Sequence, residues 1–198
     1  YYYLVSNLMS GPVSGVQYSL VAKSGIKTVA NIPTEEVFTM PHKDRIEGTV
    51  TATKPLSFSG SLIEDFMLTF ENGRVIKATA EKGEAALKTI LDTDEGARSL
   101  GEVALVPHSS PISQSETLFY NILYDENASN HLALGNAYKF SMQDGTSMSE
   151  KAFGGGGGNQ SLTHVDFMIG SDSTDVDGLT ENGVAEPIMR GGEWAFEV

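Results

Sequence analysis

The sequence predicts an α+β domain, a mixed β-sheet with helices packed on it. Asn72-Gly73 sits between the apolar runs Phe66–Phe70 and Val75–Thr79, the pairing that favours a tight type I′ hairpin because both central residues must take positive φ. Residues 45–54 and 162–170 carry strand-type alternation. Residues 83–92 place Ala85, Ala86, Leu87, Ile90 and Leu91 on one helical stripe. Strands and helices interspersed in this way imply a sheet covered by a few helices.

From the N-terminus, residues 1–30 are poor in charge and suggest one or two strands of uncertain register. The strand at 45–54, the hairpin and the helix at 83–92 follow. Glu102–Val106 reads as a short buried strand, its leading acid expected at the edge or end of the sheet, with a partner. Thr117–Tyr124 and Ala128–Leu134 read as helical, the second closed by Gly135 as the residue after its C-cap. Residues 162–170 form the next strand, and Val176–Leu179 and Val184–Met189 flank a second Asn-Gly turn at Asn182-Gly183. Gly154–Gly158 is a run of five glycines without the Lys-Ser/Thr of a phosphate-binding loop, and is expected to be a flexible segment.

At 198 residues one large domain is long enough to bury roughly 70% of the unfolded chain's surface, and the chain is read as a single unit over residues 1–198. Thirteen basic against 26 acidic residues give a net charge of −13, which argues against nucleic acid and against an anionic membrane surface. No run of about 18 apolar residues is present, so no spanning helix is expected. Cys is absent, which removes disulfides, thiolate metal sites and cysteine nucleophiles. Tyr1–Tyr3 carry neither an initiator Met nor a basic leader, so the start reads as an interior boundary of a longer chain.

Four polar patterns stand out. In Thr163-His164-Val165-Asp166-Phe167, strand alternation puts His164 and Asp166 on one side, where an imidazole and a carboxylate can ligate one divalent cation. Asp125-Glu126-Asn127 precedes His131, which would sit one turn inside the expected helix, with Asp125 or Asn127 as its cap and Tyr138 just past its end. Glu35-Glu36 lies between Pro33 and Pro41, two adjacent acids that repel unless a cation is near. Glu102 is the fourth. Each alone is explained by solvated polar surface. Together they amount to a pool of carboxylates with two imidazoles, and no Gly-x-Ser-x-Gly elbow or dinucleotide fingerprint offers another chemistry. This is the donor chemistry of a two-metal hydrolase.

Asn31-Ile32-Pro33-Thr34-Glu35-Glu36-Val37-Phe38-Thr39, Leu100–Val106, Asn127-Ala128-Ser129 with His131, and Thr163–Ser171 occur in that order and resemble the thermophilic-aminopeptidase family of metallopeptidases, from about Asn31 to Phe196. The resemblance covers the C-terminal, metal-binding half of that family, whose members carry a further N-terminal domain. It implies metal ligands at Glu36, Glu102, His131, His164 and Asp166, with Tyr138 beside the metals. Glu126 matches a further acidic position, and Glu35 or Glu126 is the candidate general base. It implies two divalent ions (zinc, cobalt or magnesium), release of N-terminal residues from peptide substrates, and a cytoplasmic homodimer. A non-catalytic metal-binding or interaction module of the same fold and a related metallo-dipeptidase are the alternatives. Residues 1–30 and the glycine run depart from the family pattern.

Overall fold

The computed structural model describes residues 4–8, 19–21, 25, 27–29, 36–180 and 182–197. In chain order the strands begin with β1 (Leu4–Leu8), β2 (Ser19–Val21), β3 (Lys27–Val29), β4 (Val37–Thr39) and β5 (Pro41–Thr51). Next come β6 (Leu56–Phe58), β7 (Ser61–Ile63), β8 (Met67–Glu71), β9 (Arg74–Thr79) and helix α1 (Glu84–Leu91). The second half holds β10 (Leu100–Leu105), α2 (Pro111–Gln114), α3 (Ile122–Asp125), β11 (His131–Gly135), α4 (Glu150–Gly155) and β12 (His164–Met168). It ends with β13 (Val176–Leu179), β14 (Ala185–Arg190) and β15 (Glu193–Trp194). The α+β class holds, and the ladders between these strands are antiparallel.

Two four-stranded sheets, β1-β5-β8-β9 and β12-β11-β10-β4, share one core with α1. Ile46, Val50, Leu68, Phe70 and Val75 from the first sheet meet Leu132, Leu134, Val165 and Phe167 from the second, and Leu87, Ile90 and Leu91 of the helix join the same core. Phe66 and Phe167 touch across this core with centroids 5.4 Å apart. Burying one such ring stabilises the fold by about 1.5–3 kcal/mol. The chain passes from the second sheet to the first at Met40, a fully buried residue that packs with Ala137, Met142 and Phe153 in a smaller second cluster.

The hairpin forms as its turn chemistry dictates. Asn72 and Gly73 take φ of 49° and 79°, and Glu71 pairs with Arg74 across the two-residue turn. Gly73 is required twice over, since a Cβ there would lie 1.7 Å from the Lys43 carbonyl oxygen.

Several sequence expectations are corrected. Ala128–Leu134 is not a helix: β11 is a strand, buried at all five positions, so no exposed face betrays its period. Thr117–Tyr124 is helical only from Ile122, where the Asn121 side chain caps Leu123 N. Asp125 closes that helix, and its carboxylate accepts from Phe119 N and Asn121 N instead of starting a new one. Residues 4–29 hold three short strands among the described residues. Gly154 and Gly155 end α4, and the last two glycines are tightly packed. A Cβ at Gly157 would sit 2.4 Å from His42 Cδ2, and one at Gly158 would sit 2.4 Å from Phe153 Cζ.

Candidate metal centre

The β12-β11-β10-β4 sheet has one apolar and one polar face, and the register assigns every side chain to one or the other. Leu132, Leu134, Val165 and Phe167 face the core. The alternate residues His131, Ala133, His164 and Asp166 must face away from it. Across the strands, Glu102 pairs with Ala133, which pairs with Asp166, so the two acids flank a single methyl group. His131 pairs with Ala104 in the row on one side of these acids, and His164 with Gly135 in the row on the other. Small residues at 133 and 135 leave space in front of the sheet where four polar side chains converge.

A β-bulge brings Glu102 to this face. Leu100 pairs with Leu134 in the core, yet Glu102, two residues on, pairs with Ala133. Without an extra residue both would point the same way. Gly101 is that residue, and a Cβ there would lie 2.3 Å from the Asn136 carbonyl oxygen. The expectation that Glu102 marks a sheet edge is therefore corrected: β10 lies between β11 and β4.

Glu36, just ahead of β4, completes the set. His131 Nε2 lies 3.6 Å from Glu102 Oε1 and 3.9 Å from Glu36 Oε1. His164 Nε2 lies 3.6 Å from Glu102 Oε2 and 3.2 Å from Asp166 Oδ1, an ion-pair distance without hydrogen-bond alignment. Two groups of donor atoms result, Glu36–Glu102–His131 and Glu102–His164–Asp166, each gathered within 4.8 Å. Glu102 belongs to both.

The imidazoles test whether these residues fit a cation. Each ring nitrogen Nδ1 faces a carbonyl, Ser129 O at 3.0 Å for His131 and Asn136 O at 2.7 Å for His164, so each Nδ1 must donate. In the neutral ring, Nε2 then aims a lone pair at carboxylate oxygens, a repulsive arrangement unless a proton or a metal ion lies between them. His131 Nε2 and Asp166 Oδ1 are buried without a hydrogen-bond partner. Hard oxygen donors with borderline nitrogens suit a divalent cation such as zinc or cobalt. The residues fit.

Proton affinities carry the same strain. Burial alone would push His131 down, but the Glu102, Glu36 and Asp166 carboxylates outweigh it and bring the ring up to about 10. His164 follows the same balance, burial opposed chiefly by Asp166, and rises to about 9. Burial, then Asp166, pushes Glu126 up to about 9. Glu36 is raised by burial, partly offset by His131. Asp166 is lowered because His164 and Glu126 outweigh its own burial, so Glu126 holds a proton that it shares with an ionised Asp166. Protons and metal ions compete for these atoms.

Of the residues singled out from sequence, Glu36, Glu102, His131, His164 and Asp166 come together, with Glu126 behind Asp166. The Tyr138 ring lies 4.9 Å from that of His164. Burial, reinforced by Glu102 and Asp166, pushes the Tyr138 phenol up to about 12. Glu35 lies outside the described residues. Sequence reasoning missed Gly101 and Ala133, whose contribution is the absence of a side chain. It also missed Phe38, paired with Ala104 on the polar face; its two-residue spacing from Glu36 was the available signal.

Comparison with known proteins agrees with this geometry. The model of the family described as "Thermophilic metalloprotease (M29)" matches residues 16–194, so the match begins ahead of the Asn31 motif. The chain is 58% identical over 176 residues to aminopeptidase AmpS of Bacillus subtilis, covering 89% of this chain and 43% of the relative. It is 51% identical over 174 residues to aminopeptidase T of Thermus aquaticus, covering 88% of this chain and 42% of the relative. A solved structure of wild-type AmpT from Thermus thermophilus superposes with a TM-score of 0.82 at 44% identity, covering 98% of this chain and 49% of that one. The chain thus spans less than half the length of the relatives it matches, and the shared part is the part that carries the acids and imidazoles described above. With the family's pattern running through nearly all of its length and the donor set assembled on one sheet face, the chain belongs to the thermophilic metalloprotease family M29.

Proposed function

We propose that this chain is the metal-bearing part of a metal-dependent aminopeptidase that releases N-terminal residues from peptides through a dinuclear centre. The observation that carries the reading is the sharing of Glu102 between two three-residue donor groups. Glu36, Glu102 and His131 would hold one divalent ion, and Glu102, His164 and Asp166 the other. Two such ions, when bound, polarise the scissile carbonyl and lower the pKa of water enough to supply hydroxide near neutral pH.

The chain's own groups supply the rest. Glu126, which holds a proton while no cation neutralises its acidic neighbours, would be released to ionise by bound cations, and in that form it is the candidate to accept the proton of the attacking water and return it to the departing amine. Glu35 is the other candidate for that role, inferred from the family motif. Tyr138 keeps its proton at any physiological pH and donates a hydrogen bond to the developing oxyanion. The acid-rich face, on a chain of net charge −13, attracts the free ammonium that distinguishes an exopeptidase's substrate. A homodimer and a cytoplasmic location belong to the same proposal. Among the described residues, no helix is long and apolar enough to cross a membrane.

The test is hydrolysis of aminoacyl-anilides by the full-length protein, before and after chelation and after zinc or cobalt is restored. Activity lost on chelation and recovered with metal supports the reading. Full activity after complete chelation overturns it, and a metal-replete protein without turnover favours a binding module. Cleavage of dipeptides but not tripeptides favours a dipeptidase.

A further inference from the structure

The polar face of the β12-β11-β10-β4 sheet carries aromatic rings beside the donor set. Phe38 pairs with Ala104, and Ala104 pairs with His131, so Phe38 shares the face of the imidazole. From Phe38 a continuous series of ring contacts runs back to the centre. Phe38 and Phe140 meet edge-on at 6.1 Å, Phe140 and Tyr138 stack at 5.1 Å with planes 10° apart, and Tyr138 tilts against His164 at 4.9 Å. Tyr138 and Phe140 nonetheless stay 41% and 36% exposed.

The support beneath these rings is fixed. Lys139, between them, bonds the Met148 carbonyl at 3.0 Å and pairs with Glu150 at 2.6 Å, while Ala137 and Met142 are buried against Met40 and Phe153. Rings held outward by an anchored turn, next to a charged centre, form a pre-organised apolar wall.

We propose that Phe38, Phe140 and the outer face of Tyr138 form the subsite for the apolar side chain of a peptide's N-terminal residue, which makes Phe140 a specificity-determining residue. This rests on the aminopeptidase reading. The surrounding carboxylates would draw the substrate's ammonium and repel an acidic side chain. The stacked rings offer an aliphatic or aromatic side chain dispersion contact and removal from water.

The test compares the metal-loaded full-length protein with Phe140→Ala and Phe140→Leu on the anilides of leucine, phenylalanine, alanine and lysine. Phe140→Ala is expected to lower kcat/KM for leucine and phenylalanine anilides about 10-fold or more, chiefly through KM, with alanine anilide changed less than about twofold. Phe140→Leu should recover part of the loss. An equal factor for all four substrates, the result expected if another segment of the protein covers the wall, overturns the proposal. So does an equal loss for lysine and leucine. Calorimetric binding of L-phenylalanine and L-alanine separates this proposal from the reading beneath it. If phenylalanine binds more tightly and loses that advantage in Phe140→Ala while no anilide is hydrolysed, the wall stands and the aminopeptidase reading fails. If anilides are hydrolysed with an unchanged substrate profile in Phe140→Ala, the aminopeptidase reading stands and the wall fails.

Discussion

Two clusters of polar groups flank the Gly135-Asn136 segment, and they are built on opposite principles. On one side, Asn159 is 3% exposed and its Nδ2 donates to the carbonyls of Gly96, Ser99 and Gly135 at 2.8, 3.2 and 2.6 Å. Beside it, Asp94 accepts from Ala97 N, Ser161 Oγ and Leu162 N at 2.9, 2.8 and 2.6 Å. Donors face acceptors throughout. On the other side, Glu36, Glu102, Glu126 and Asp166 crowd two imidazoles, and His131 Nε2 and Asp166 Oδ1 are left without hydrogen bonds. The first cluster is complete as protein and belongs to stability. The second has donor atoms gathered where a cation fits, and under the proposed function it belongs to chemistry.

If that division is right, substitutions in the two clusters fail in different ways. The largest effect is expected at Glu102. Glu102→Ala removes the donor common to both groups, so anilide hydrolysis should fall well beyond the about 100-fold typical of an outer-shell partner, and bound metal should fall with it. Metal at 100 times its Kd stabilises the native protein by about 2.7 kcal/mol, and thermal melts with and without zinc should lose that increment in the variant. A variant that is fully active and metal-replete would remove the distinction between the clusters.

Asn159→Ala should act the other way. It removes two N–H groups shared among three carbonyls, of which Gly96 O and Ser99 O keep backbone donors, costing about 2 kcal/mol of unfolding free energy in urea melts. Its effect on the centre is indirect. Asn136, whose carbonyl holds His164 Nδ1, keeps its own bonds from Asn136 N to Thr163 O at 2.7 Å and from Ser161 N to Asn136 Oδ1 at 3.3 Å. Metal affinity measured well below the melting point should therefore weaken less than about tenfold. Wild-type stability combined with lost metal would assign Asn159 to the centre instead.

The two clusters also differ in how far they can be read from the chain. His164 and Asp166 are legible because β12 alternates between a core face and a polar face, and period two is visible whenever the faces differ. The Asn72-Gly73 hairpin is legible because its turn requires positive φ. His131 is conspicuous as a residue, yet the sequence puts it on a helix. Its strand has good helix formers at Leu132, Ala133 and Leu134 and is buried on both faces, so neither propensity nor periodicity reports the strand. The convergence of Glu102 with Asp166 depends on the Gly101 bulge, a change of register that only pairing with β11 defines. The family motifs supply the donor set without its geometry. The Asp94–Asn159 cluster leaves no signal, because its partners are mostly backbone groups, which every sequence has.

The smallest effect tests the satisfied cluster by pH. Burial alone would raise the pKa of Asp94, but the bonds from Leu162, Ser161 and Ala97 outweigh it and hold the carboxyl below its ordinary 3.8. A group whose folded pKa is depressed contributes stability above its unfolded pKa and loses it as pH falls through the folded value. Asp94→Asn, which keeps one acceptor oxygen but no charge, should therefore cost about 1 kcal/mol at neutral pH, a modest figure because the site is partly solvated. Urea melts of wild type and variant should diverge above about pH 4 and converge in acid. Equal penalties at pH 7 and pH 3 would mean that Asp94 contributes through its shape alone. The satisfied cluster would then owe nothing to charge, and the contrast with the metal centre would lie in hydrogen-bond geometry rather than in electrostatics.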